Sequence, residues 1–106
     1  DNCLEMFTFE EWSRQSGKIK DSLDFFNPDH NLFWREYLRD CVIVEPDAKY
    51  GRISISRELL DAVSIDREVV FFGVDFKIEI WAKEAFESSS ISNENYIAIA
   101  RSLARK

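Results

Sequence analysis

Apolar positions along the chain change period at Cys41, from helical spacing to the alternation of strands, and return to helical spacing after a serine run near the end. Leu4 to Phe7 reads as a short strand. Thr8-Phe9-Glu10-Glu11 has the spacing of a capping box, in which Thr8 accepts the backbone N–H of Glu11 and Glu11 reaches back. The helix it opens carries Trp12, Ile19, Leu23 and Phe26 along one side, with Gly17 weakening its middle. Asn27-Pro28 restarts the chain as an N-cap followed by a proline at the first helical position. The second helix presents Phe33, Trp34, Tyr37 and Leu38 on a wide apolar face. Together the two form a helical hairpin, better suited to an interaction surface or a spacer than to catalysis.

Beyond it, Cys41-Val42-Ile43-Val44 is a strand candidate, Glu45 to Tyr50 a polar turn containing Pro46, and Gly51-Arg52-Ile53-Ser54-Ile55 an alternating strand. Ser56 can cap a short helix bearing Leu59, Leu60 and Val63. Glu68 to Val74 is apolar on both faces, as in the central strand of a barrel or sandwich. Asp75-Phe76 joins it tightly to Lys77-Ile78-Glu79-Ile80-Trp81. Ser88-Ser89-Ser90 separates this unit from a last helix with Tyr96, Ile99, Ala100 and Leu103 at helical spacing. Arg101, Arg105 and Lys106 end that helix, where cations suit its dipole. Four short strands and one helix close a poor core alone, and their open edges call for a partner half.

A weak internal repeat accounts for that shortfall. Leu4-Glu5-Met6-Phe7 matches Ile78-Glu79-Ile80-Trp81 in residue type at an offset of 74, and the match continues through Glu10 and Glu84, then Trp12 and Phe86. Residues 1–12 are therefore expected to end a first repeat whose earlier strands, about 35 residues, lie upstream. Asp1 in place of Met fits a trimmed or processed product. The expected organisation is the end of a first repeat at 1–12, a helical hairpin at 13–40, a second repeat at 41–87, and a linker with a C-terminal helix at 88–106. Such a fragment should borrow strands from another copy or leave a sheet edge exposed.

Composition narrows the function classes. Hydrophobic residues make up 45% of the 106, with nine Phe and three Trp, which is a globular balance. The longest apolar run, Val69-Val70-Phe71-Phe72, is far too short to span a bilayer. With no charged leader before an apolar stretch, the chain reads as cytoplasmic. Net charge is −6, divided as −4 over residues 1–40, −3 over 41–86 and +1 over 87–106. That balance argues against non-specific nucleic-acid binding, so any anion contact must come from a local patch or from several chains together. Cys3 and Cys41, without a CxxC or a histidine pair, are expected as buried reduced thiols, with a disulfide or a metal site as the alternatives. No phosphate loop, nucleophile elbow, zinc spacing or paired acids appear, and His30 has no nucleophile nearby. Neither catalytic residues, metal ligands, a cofactor nor a small-molecule substrate is expected.

Residues 41–84 carry a resemblance. Gly51-Arg52-Ile53-Ser54-Ile55-Ser56, Glu68-Val69-Val70-Phe71-Phe72-Gly73-Val74 and Ile78-Glu79-Ile80-Trp81-Ala82-Lys83-Glu84 resemble the second repeat of the MraZ family. Cys3 through Trp12 is similar to the end of that family's first repeat, and the helical hairpin falls where its inter-repeat helices lie. The resemblance implies an α+β fold: half of an AbrB-like swapped-hairpin (double-split) β-barrel, with a helical hairpin before it and a C-terminal helix after it. It further implies a bacterial transcriptional regulator of the division and cell-wall gene cluster, cytoplasmic and nucleoid-associated. Such a protein acts as a homo-oligomer, ring-forming when intact, on double-stranded DNA with promoter repeats. Family members contact DNA through motifs of the form Asp-x-x-Gly-Arg. Gly51 and Arg52 match that motif, Lys49 falls inside it, and Arg57 follows where relatives often carry a base. Arg52 is then the candidate for base-edge or phosphate contact, because its guanidinium bonds either in bidentate fashion. Lys49 and Arg57 would hold phosphates and set the register. Two positions depart from the pattern: Asp47 to Arg52 is one residue longer, and Ser56 replaces the usual proline.

Plainer structural roles stand beside each of these. Arg52 could be a strand-edge arginine paired with Glu45 or Asp47, and Lys49 and Arg57 solvated surface charges. Glu79 suits a structural or interface carboxylate. The aromatics Phe25, Phe26, Phe33 and Trp34 suit a core or subunit interface, since basic residues do not interleave them as on a base-stacking platform. A protein-interaction or assembly module that keeps the barrel but has lost DNA binding is the alternative function, favoured by the net acidity, the longer turn and Ser56. An antitoxin-like AbrB relative is a third.

Overall fold

The computed structural model describes residues 2–104, so Arg105 and Lys106 at the expected end of the last helix lie outside it. Leu4–Met6 (β1) passes through Thr8 into the helix Phe9–Asp21 (α1). Thr8 Oγ1 accepts the N–H of Glu11 at 3.1 Å, which is one half of the expected capping box. The other half is not made. The Glu11 carboxylate instead takes the Arg14 guanidinium and the Gln15 amide, which hold it below the usual carboxylate range.

α1 stops at Asp21, short of the Leu23 and Phe26 expected on its apolar side. The turn that follows supplies its own hydrogen bonds: Asp24 Oδ1 accepts the N–H of Phe26 at 3.0 Å, and His30 Nδ1 accepts that of Asp24 at 2.8 Å. His30 thus buttresses the interhelical turn. Phe26, expected to pack, is 99% exposed. Pro28–Arg39 (α2) begins as its sequence predicts, with Asn27 Oδ1 accepting the N–H of Asp29 at 2.9 Å. Along it Trp34 stacks on Tyr37 and meets Phe25 edge-on, while Phe33 stays half exposed.

Arg57–Ala62 (α3) is capped by Ser56, whose hydroxyl accepts the N–H of Leu59. Val69–Val74 (β2) and Lys77–Ala82 (β3) form the expected hairpin, closed at Asp75, which takes a left-handed φ of 50°. A short acidic side chain tolerates that conformation better than most. Lys83–Ser88 (α4) is a helix that the spacing of apolar positions does not predict; its Phe86 ring meets Phe72 and Trp81 at centroid distances of 5.8 and 6.0 Å. Asn93–Ala104 (α5) is the expected last helix.

The three strands form one antiparallel sheet in the order β1-β3-β2. Segments that match at an offset of 74 are the ones that pair: Glu5 lies opposite Glu79, with Leu4 opposite Ile80 and Met6 opposite Ile78. Two like charges face to face destabilise a sheet. Here the Lys77 ammonium bonds Glu5 and approaches Glu79 at 3.6 Å, and Trp81 Nε1 donates to Glu79 at 3.0 Å.

Three further expectations change. Residues 68–74, read as central, hold the sheet edge, where Phe71 remains largely exposed and Phe72 half exposed. Cys41–Val44 and Gly51–Ile55, read as strands, pair with no strand among the described residues. A strand forms only when its backbone finds a partner, and here the neighbouring strands are lacking. Val42 and Ile43 are accordingly 59% and 79% exposed. Cys41 is exposed as well and Cys3 half-buried; both thiols are free, so the expected burial does not hold for Cys41.

The core is small. Val63, Ile65, Ile80 and Ala82 are buried, with Leu4, Met6, Ile55, Leu60 and Ala85 packed around them. The Cα radius of gyration is 17.3 Å, against about 13 Å for a closed domain of 100 residues. Accessible surface is 9014 Å², where a compact chain of this mass exposes about 6,200 Å². Much surface is therefore left uncovered, including the large side chains of Phe26, Ile43 and Phe71.

Candidate nucleic-acid interface

Chain reversal between the two unpaired arms depends on Asp47. Its backbone N–H donates to the Arg52 carbonyl at 2.9 Å, and its own carbonyl accepts the Gly51 N–H at 3.0 Å. Its carboxylate accepts three more backbone N–H groups: Tyr50 at 2.7 Å, Arg52 at 2.8 Å and Lys49 at 3.1 Å. The Tyr50 bond most of all, then those of Arg52 and Lys49, holds this carboxyl below the usual aspartate range. Gly51 completes the turn at φ 68°, the left-handed region in which a side chain is strained. The extra residue between Asp47 and Gly51 leaves Asp47 as the anchor of the turn.

That geometry decides what the two cations can do. The Asp47 carboxylate is filled by backbone donors, including the N–H of Arg52, and makes no ion pair with the guanidinium. Among the described residues neither Lys49 nor Arg52 forms a salt bridge. Both instead lie over the Tyr50 ring, with Arg52 Cζ 4.6 Å and Lys49 Nζ 5.0 Å from its centroid. A guanidinium held over a ring, with no acid bound to it, keeps its N–H donors for a partner. The pairing of Arg52 with Glu45 or Asp47, the plainer expectation, is not formed.

Arg57 is placed differently. From the first turn of α3 it bonds Asp61 through Nε at 2.9 Å and donates a second hydrogen bond to the Ile65 carbonyl. Lys49, Gly51 and Arg52 thus share one turn, while Arg57 braces α3 and the loop after it. Tyr50 went unnoticed in the sequence; an aromatic between two cations at a turn was the available signal.

Elsewhere, Asn2, Cys3, Glu5, Lys77, Glu79 and Trp81 line a shallow groove of about 300 Å³. Burial, then the charges of Glu79 and Glu5, raises the Cys3 thiol, while its bond to Glu5 raises Lys77. Glu79 serves the sheet there. Among the described residues no three His, Cys, Asp or Glu side chains cluster as metal ligands would, and no helix is long and apolar enough to cross a membrane.

Residues 38–103 match the family model described as "MraZ protein, putative antitoxin-like". The chain belongs to the MraZ family. Among MraZ relatives, the Transcriptional regulator MraZ of Bacteroides thetaiotaomicron is 34% identical over 95 residues, covering 90% of this chain and 60% of that protein. The Thermoanaerobacter sp. (strain X514) protein of the same name is 39% identical over 90 residues, 85% of this chain and 62% of its own. That of Acetivibrio thermocellus is 37% identical over all 106 residues and 71% of its own length. The chain thus spans about 60% of the first of these MraZ relatives. No solved structure is a significant match.

Proposed function

We propose that this chain belongs to a transcriptional regulator that binds double-stranded DNA through its Asp47–Arg52 turn. The carrying observation is that this turn exposes two cations, Lys49 and Arg52, whose polar ends no acid among the described residues occupies. The names of the relatives, Transcriptional regulator MraZ, support the regulator part of this reading. Arg52 contacts a base edge or phosphate, Lys49 a neighbouring phosphate, and Gly51 lets the backbone turn tightly beside them. Arg57 flanks them and reaches phosphate with the donors that Asp61 and Ile65 leave free.

The surface supports an oligomeric reading. The exposed area exceeds that of a compact chain by on the order of 2,800 Å², the scale of an obligate interface. The unpaired arms, the open edge of β2 and the facing of Glu5 with Glu79 fit half of a swapped-hairpin barrel, completed by another repeat or another copy. The division at residues 12, 40 and 87 fits that plan, with the barrel unit at 41–87 and the helices as connectors. Weak contacts per subunit would then sum over a ring bound to promoter repeats of the division and cell-wall cluster, in the cytoplasm at the nucleoid.

The test is a gel shift of the full-length protein with labelled duplex from upstream of its own gene. Arg52→Ala should weaken binding about tenfold or more. Unchanged binding would remove Arg52 from the interface. The second reading, an assembly module without DNA binding, is favoured by the net charge of −6 and the uncovered apolar surface. It predicts stable oligomers with no salt-sensitive DNA affinity.

A further inference from the structure

Tyr50 is 62% exposed at the tip of the turn, so its ring does not serve the core. Its neighbours there are the two cations, at 4.6 and 5.0 Å from the centroid. Long cationic side chains in water sample many rotamers, and fixing them for a contact costs conformational entropy. A ring that holds both in place before the partner arrives lowers that cost. An acid would also hold them, but it would occupy the same N–H donors that a phosphate needs. An aromatic face takes the flat side of the guanidinium and leaves its edge free. Asp47 contributes by fixing the backbone: its carboxylate accepts the N–H of Tyr50 and of Arg52 together, which sets ring and guanidinium on one rigid turn.

We infer that Tyr50 is the positioning residue of this interface, an aromatic platform that holds both Lys49 and Arg52 for contact with phosphate. The inference rests on the DNA-binding reading of the turn and adds a residue to it. The platform acts through its ring and not its hydroxyl, and it acts only through the cations it holds.

A double-mutant cycle on the full-length protein tests this, with duplex DNA from upstream of its own gene as the probe. Tyr50→Leu should weaken binding about two- to fivefold, as loss of an exposed cation–π contact does, while Tyr50→Phe binds as the parent does. In the Lys49→Ala/Arg52→Ala background, Tyr50→Leu should change nothing further. In the free protein, ring-current shifts of the Arg52 and Lys49 side-chain protons should be present in the parent and Tyr50→Phe and absent in Tyr50→Leu. An equal loss from Tyr50→Leu in both backgrounds would make Tyr50 a direct contact and overturn the proposal. So would a loss in Tyr50→Phe as large as that in Tyr50→Leu. If Arg52→Ala weakens binding and Tyr50→Leu does not, the platform fails while the DNA reading stands. If Arg52→Ala has no effect, both fail.

Discussion

Replacing Gly51 by alanine isolates one term in the energetics of the turn. Gly51 sits at φ 68°, and a Cβ added there would meet nothing within 4 Å. Sterics with the rest of the molecule therefore contribute nothing, and the whole cost is that of holding an L-residue left-handed, about 1–2 kcal/mol. That corresponds to a shift of about five- to thirtyfold toward the open turn. Opening releases the Tyr50, Arg52 and Lys49 N–H groups from Asp47, so amide hydrogen exchange at these three positions should accelerate by that factor. The buried cluster takes no residue from 41–54, so the thermal midpoint of the sheet should stay within the effect of a neutral surface change, about 0.5 kcal/mol. Gly51→Asn should lose less than Gly51→Ala, since asparagine enters this region more readily. Unchanged exchange in Gly51→Ala would refute the left-handed turn. A lowered sheet midpoint would refute its independence from the core.

Other outcomes follow from the same geometry. Ile80, 3% exposed between Leu4 and Phe71 on the neighbouring strands, should cost about 2–5 kcal/mol as Ile80→Ala by urea denaturation, whereas Phe26→Ala, at a 99% exposed position, should fall within about 0.5 kcal/mol in the isolated chain. A large cost at Phe26 in the full-length protein alone would place that ring in an interface. The Asp47 carboxyl lies below its unfolded value, so its contribution to the turn is present above about pH 4 and lost as pH falls through the lowered folded value. Accelerated exchange at Tyr50 in acid, absent from Asp47→Asn, is the check. Lys77 is raised by its bond to Glu5, so its contribution is intact below the ordinary lysine value of about 10.4 and lost as pH rises through the raised one. Lys77→Met should remove that alkaline loss from the unfolding curve.

Much of the local chemistry was legible in the sequence where one segment sufficed to satisfy it. Thr8, Asn27 and Ser56 cap the helices their spacing predicts, because a cap needs only a side chain and an N–H two or three residues on. The hairpin of residues 69–82 was readable for the same reason, its two strands being joined by Asp75-Phe76. Even the pairing of Glu5 with Glu79 had a trace, since matching segments of a repeat can meet about a local two-fold axis. The motif residues Lys49, Gly51 and Arg52 stood out as candidates on spacing and resemblance alone.

What tertiary structure decided was everything that depends on a partner. Cys41–Val44 and Gly51–Ile55 have strand composition, yet form none among the described residues, because a ladder is a property of two strands and not of one. Glu68 to Val74 has the composition of a central strand, yet Val69–Val74 lies at the sheet edge with Phe71 largely exposed. Whether Arg52 is bound to an acid or free was equally a matter of three-dimensional placement. The Asp47 carboxylate fills with backbone donors, and the Tyr50 ring takes the cations in its stead. Sequence determined which residues could act at this turn; which of their atoms remain available to a partner was fixed only by the fold.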